Sequence, residues 1–107
     1  DMAAFLRSLR DGTLLRPETA RAMMDRQVDI PGPPAAELAR RSYGFTMLRT
    51  ELGGPGGTAV GHSGGMRGTS TVVEHYPAVG TTVVILANYD RVTWWANTAL
   101  LEMLGIR

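Results

Sequence analysis

Gly61-His62-Ser63-Gly64-Gly65 is the stretch on whose reading the fold of this chain turns. Spelled G-x-S-x-G, it matches a nucleophile elbow, where a strand ends at the serine and a helix starts at once, leaving the hydroxyl on a strained turn. Thr58-Ala59-Val60 suits the strand before it. The residues after it do not suit the helix. Met66-Arg67-Gly68 leads into Thr69-Ser70-Thr71-Val72-Val73-Glu74-His75-Tyr76, a run rich in β-branched residues that stops at Pro77 and reads as another strand. The elbow also requires an acid and then a histidine later in the chain. The only later histidine is His75, and the acid preceding it is its neighbour Glu74. Adjacent strand residues point to opposite faces, so these two cannot converge on Ser63. The alternative is that His62-Ser63-Gly64-Gly65 closes a short strand in an antiparallel sheet.

Working outward, Met2, Phe5, Leu6 and Leu9 fall at i, i+3, i+4 and i+7, the apolar face of a helix that Asp1 can start and Gly12 can stop. A second helix is expected from Pro17, with Glu18 in its first turn and Ala20, Met23 and Met24 inward as core filling. Between Asp25 and Arg41 the signal weakens. Pro31-Gly32-Pro33-Pro34 excludes regular structure, and Ala35 to Arg41 can form at most a turn of helix. Tyr43 to Thr50 reads as a strand, and Gly53-Gly54-Pro55-Gly56-Gly57 as a turn. No Gly-Lys-Ser/Thr follows those glycines, so they are not a phosphate loop.

Beyond the motif, Pro77-Ala78-Val79-Gly80 makes a hairpin connection to Thr81-Thr82-Val83-Val84-Ile85-Leu86-Ala87-Asn88, apolar enough to predict a central strand covered on both faces. Asp90 is expected to cap a final helix with Val92, Trp95, Ala96, Ala99, Leu100, Met103 and Leu104 inward, ending at Gly105. Trp94 and Trp95 are assigned to helix packing, and Glu74 and His75 to solvent or the turn. The fold class is α+β: a three-stranded antiparallel meander packed by N-terminal helices and a C-terminal helix.

Composition narrows the function classes. The 107 residues are 44% hydrophobic and 20% charged, with a net charge of +1. Dispersed arginines at that charge give no nucleic-acid or anionic-membrane surface, and no apolar run reaches membrane-spanning length. With no cysteine there is neither a disulfide nor a thiolate metal site, and no metal or cofactor is expected; the compartment stays open. All the basic charge is Arg. Any chemistry needing a lysine base must therefore draw it from outside these residues. The helical pattern begins at once from Asp1, as in a sequence cut from a longer protein.

Several ordered words in the chain resemble the C-terminal third of the serine β-lactamase-like family, which takes in class C β-lactamases, D-alanyl-D-alanine carboxypeptidases and related esterases. Asp1-Met2-Ala3-Ala4-Phe5-Leu6 is similar to the helix leading into that portion. Tyr43-Gly44-Phe45 resembles the Tyr-Gly-Leu-Gly-Trp type of strand. Gly61-His62-Ser63-Gly64-Gly65, with Gly68 behind it, is similar to the third motif, and Val83-Val84-Ile85-Leu86-Ala87-Asn88 to the last strand. The resemblance implies that residues 1–107 are a single C-terminal portion of a larger β-lactamase-like (transpeptidase-like) domain, with 1–41 its helical part and loop and 42–107 its sheet and last helix.

By position, the resemblance puts His62 in the place of the lysine of Lys-Thr-Gly, Ser63 in that of the threonine, and Gly64 in that of the glycine that admits substrate to the strand. Gly65 would give a backbone N–H to the oxyanion hole. His62 and Ser63 would line the substrate site with Gly64 and Gly65. Histidine is only partly protonated near neutral pH, so the change from lysine moves weight from penicillin-type carboxylate recognition toward esterase or peptidase relatives. The plainer reading makes His62 a strand-end histidine hydrogen-bonded to backbone.

The family's nucleophile lies in Ser-x-x-Lys and its second motif is Tyr-x-Asn. Neither occurs here: there is no lysine, and Tyr43, Tyr76 and Tyr89 are followed two residues on by Phe45, Ala78 and Arg91. The resemblance thus implies a parent serine hydrolase acting on a small ester, amide or β-lactam through an acyl-enzyme, and a chain that by itself is inactive. It also implies that strand 81–88 pairs with the N-terminal portion of the same protein, or else self-associates. Two other readings stand beside it: an α/β-hydrolase fragment with Ser63 as nucleophile, and a non-catalytic α+β binding module.

Overall fold

The computed structural model describes residues 1–31 and 38–107. Helices α1 (Met2–Arg10) and α2 (Pro17–Met24) precede six strands: β1 (Val28–Asp29), β2 (Leu38–Tyr43), β3 (Leu48–Leu52), β4 (Thr58–Met66), β5 (Thr69–Tyr76) and β6 (Thr81–Ala87). Helix α3 (Val92–Met103) closes the chain. The strands form one antiparallel sheet in chain order, β1 to β6, so the meander has six strands rather than three.

Local chemistry sets the ends of the elements. The Asp1 carboxylate accepts the Ala4 N–H at 2.9 Å and starts α1. Pro17 occupies the first turn of α2, where a missing N–H costs nothing. Tyr43 to Thr50 is not one strand. Gly44 donates to the Met47 carbonyl at 2.9 Å and reverses the chain between β2 and β3. A Cβ on Gly44 would overlap the Met23 carbonyl oxygen, because α2 ends against this turn. Leu38 to Arg41 belong to β2 rather than to a helical turn; residues 32–37 of the proline-rich stretch lie outside the described residues.

The sheet is covered on both sides. On one face α3 packs over β5 and β6, and Ala59, Tyr76, Val83, Leu101 and Ile106 form the core. The C-terminal tail completes it: Gly56 donates to the Ile106 carbonyl at 2.8 Å, and a Cβ on Gly56 would meet Ile106 at 2.6 Å. On the other face α1 contacts α2 and β6, with Leu6 and Leu9 buried.

Strand β6 is covered on both faces, by α3 and α1, but among the described residues it is hydrogen-bonded only to β5. Within this chain it is therefore the open edge that pairing with another portion implies rather than a central strand, and Leu86 is 67% exposed. Its outer side has no partner strand among the described residues. The helix that follows departs from expectation. Helix α3 is rotated from its expected phase: Trp95 and Met103 are 74% and 83% exposed, while Thr93 and Leu101 are buried. Trp94, also exposed, likewise packs on nothing in the core. Asp90 does not cap this helix; Arg91 precedes it in the left-handed conformation, φ 59°, without a side-chain cap.

Candidate functional site

Strand β4 runs straight through the glycine motif. His62 pairs with Val73, Ser63 with Val72, Gly64 with Thr71 and Gly65 with Ser70. On the opposite side the β3 pairing stops at Leu48–Gly61, so from His62 to Met66 the strand has a neighbour on one side only among the described residues. Every second residue of such a strand turns its N–H and C=O to the open side. That open half-strand, with exposed His62, Ser63, Gly64 and Gly65, is the candidate site.

The glycines of the motif are not equivalent. A Cβ on Gly61 would overlap the Val73 carbonyl oxygen, so packing alone requires glycine there. A Cβ on Gly64 would approach nothing closer than Thr71 Oγ1 at 3.4 Å, and one on Gly65 nothing closer than the Thr69 carbonyl at 3.6 Å. Both are ordinary contacts. Among the described residues nothing fills the space that Gly64 and Gly65 leave, and neither has positive φ.

His62 is exposed and shares a face of β4 with Val60. Its ring lies 6.2 Å from that of Tyr43, tilted by 38°. The ring makes no hydrogen bond among the described residues, so the backbone-bonded strand-end histidine is not what the structure holds. Tyr43 is a neighbour the sequence did not reveal: it lies nineteen positions earlier, and only the β2–β3–β4 meander brings it alongside.

Ser63 lies inside a strand, and the next element is strand β5 rather than a helix. His75, the one other histidine, pairs with Val60, about three residues or 10 Å along the strand and on the opposite face from Ser63. The sheet is antiparallel throughout. These placements rule out the nucleophile elbow and the α/β-hydrolase fragment built on it.

Glu74 and His75 are not solvent groups. His75 is 3% exposed, with Nδ1 2.9 Å from Thr82 Oγ1. Burial, and secondarily the Arg10 charge, hold its pKa below 6.5. Half-buried Glu74 accepts the Tyr76 hydroxyl at 2.5 Å and the Asn97 side-chain amide at 3.0 Å, tying β5 to α3. Tyr76 is fully buried; that burial, then its bond to Glu74, pushes its pKa far up, so it stays a neutral donor. The sequence signal for this network is Asn97, an amide in the middle of a largely apolar helix.

The turn beyond the motif is fastened to the loop before α3. The Asp90 carboxylate accepts the Gly68 N–H, the Thr69 hydroxyl donates to the Ala87 carbonyl at 3.0 Å, and the Ser70 hydroxyl to the Tyr89 carbonyl at 2.9 Å. Gly68, with φ 84°, makes the tight reversal possible. These bonds hold the hairpin whose first arm is the motif.

Among the described residues no cluster of three His, Cys, Asp or Glu is arranged to hold a metal ion, and no helix is long and apolar enough to cross a membrane. The family model described as Beta-lactamase matches residues 1–98. The chain belongs to the β-lactamase family. No curated protein and no solved structure matches it.

Proposed function

We propose that this chain forms one wall of the active site of a serine hydrolase working through an acyl-enzyme, on a small ester, amide or β-lactam substrate. In this reading the backbone N–H of Gly65 binds the oxyanion, Gly64 leaves room for substrate against the strand, and His62 and Ser63 line the pocket. The observation that carries it is the open half of β4, where two glycines leave space that nothing among the described residues occupies. A donor aimed at the developing oxyanion contributes about 3–4 kcal/mol to acyl transfer. Family membership supports hydrolysis as the class of reaction. Histidine in place of lysine favours an esterase or peptidase over a penicillin-recognising enzyme.

The nucleophile and its lysine base come from an N-terminal portion of the same protein, whose sheet strand pairs with β6. The chain alone is inactive. The test is ester turnover by a protein in which residues 1–107 are preceded by a Ser-x-x-Lys segment. There Gly65→Pro, which removes the amide hydrogen, lowers kcat by about 100-fold or more. Undiminished kcat in that variant contradicts the assignment of Gly65. Turnover by the isolated chain contradicts the division of the site.

A further inference from the structure

Across the face of the sheet under α1 and α2 runs one row of directly paired residues: Ser42, Arg49, Val60, His75 and Thr82, one from each of β2 to β6. A row roofed by two helices is ordinarily apolar. This one is polar at every position but Val60, and Ser42 and His75 are each 3% exposed. Between it and the helices lies a cleft of about 310 Å3. Arg49 is half-buried on its floor, and Arg10 and Arg21 stand at its rim.

No ion pair joins any of these three arginines to a carboxylate among the described residues. Of the two acids in the lining, Asp11 accepts the N–H and hydroxyl of Thr13 at 2.9 and 2.5 Å and lies in the field of Arg10 alone of the three. Asp25 makes no side-chain ion pair or hydrogen bond among the described residues, so neither serves Arg49. A guanidinium withdrawn from water without a counter-charge costs stability unless an anion meets it. Its planar fork matches a carboxylate with two parallel N–H···O bonds. Beside Asp25 and His75, the lining has an apolar part, Ala20, Met24, Val60 and Pro77, which a bare inorganic ion would leave uncovered.

We propose that this cleft binds a small organic acid, with its carboxylate on Arg49 and its apolar body against Ala20, Met24 and Val60. The site stands whether or not the chain takes part in acyl transfer. It is also a neighbour of the motif: His62 follows Val60 by two residues on the same face of β4, about 7 Å along the strand.

The experiment is a titration of the chain with hexanoate, followed by the backbone amide resonances, with hexanol and inorganic phosphate as controls. Hexanoate should shift Arg49, Val60 and His75 saturably, with phosphate weaker and hexanol without effect. Arg49→Gln should weaken hexanoate binding about tenfold or more. If that variant does not fold, Arg49→Lys keeps the charge without the fork and Arg21→Gln removes a rim charge from an exposed helix position; both should bind more weakly than the parent chain. Absence of saturable shifts, or a hexanoate isotherm that these substitutions leave unchanged, overturns the proposal. So does hexanol binding as well as hexanoate, and phosphate binding equally well overturns the apolar half of it.

Discussion

Gly61 and Gly64 stand three residues apart in one strand and answer to different constraints. The β5 backbone lies where a Cβ on Gly61 would go, so Gly61→Ala forces the strands apart and should cost about 1–3 kcal/mol. Gly64→Ala meets only an ordinary contact and removes a flexible residue from a strand, so stability should hold or rise by up to about 1 kcal/mol. Urea unfolding midpoints of the two variants separate these outcomes. Equal losses would mean that Gly64 too is kept for packing, and the space beside it would say nothing about substrate. His75 makes a pH prediction. Its pKa in the fold lies below 6.5, so below that pH the unfolded chain binds the extra proton first. Stability attributable to His75 is therefore full above pH 6.5 and declines as pH falls through it. His75→Gln should flatten the stability–pH curve below about pH 6.5; an unchanged slope would place its origin elsewhere.

The hairpin β4–β5 is held at its tip by Asp90, Thr69 and Ser70, so its order depends on the loop before α3. Asp90→Ala should speed amide exchange over residues 64–68 by about tenfold while Val72 and Val83 keep their protection. Exchange that accelerates everywhere would indicate general destabilisation instead. The same loop marks a limit of what local sequence can reveal. An Asp before an apolar run usually caps a helix, yet the Asp90 carboxylate is spent on Gly68, twenty-two residues back. Helix α3 is legible as a helix, but it is apolar nearly all round, so periodicity cannot fix its inward face. The Asn97–Glu74 bond and Leu101 fix it instead. Strands β4, β5 and β6 can be read from their β-branched runs and glycine turns. The break at Gly44 cannot, because its cause is the end of α2, twenty residues earlier. Of the site, the four motif residues are visible in the sequence and Tyr43 beside His62 is not.

The molecule as a whole is a sheet finished on both faces and unfinished at one edge. Among the described residues strand β6 has no partner on its outer side, exposed Leu86 stands on it, and Tyr89, Trp94 and Trp95 are exposed nearby in the chain. Such an edge recruits another strand. The chain should self-associate as its concentration rises, and Leu86→Lys should shift sedimentation toward monomer; a compact monomer at all concentrations would argue against an absent partner strand. In the proposed division of the site, that partner strand belongs to the portion that brings the nucleophile. Intact-mass spectrometry after exposure to a fluorophosphonate probe tests its role most directly. With the nucleophile outside these residues, no adduct forms on this chain, and in particular none on Ser63. An adduct mapped to Ser63 would contradict the divided site, making the strand residue itself the nucleophile.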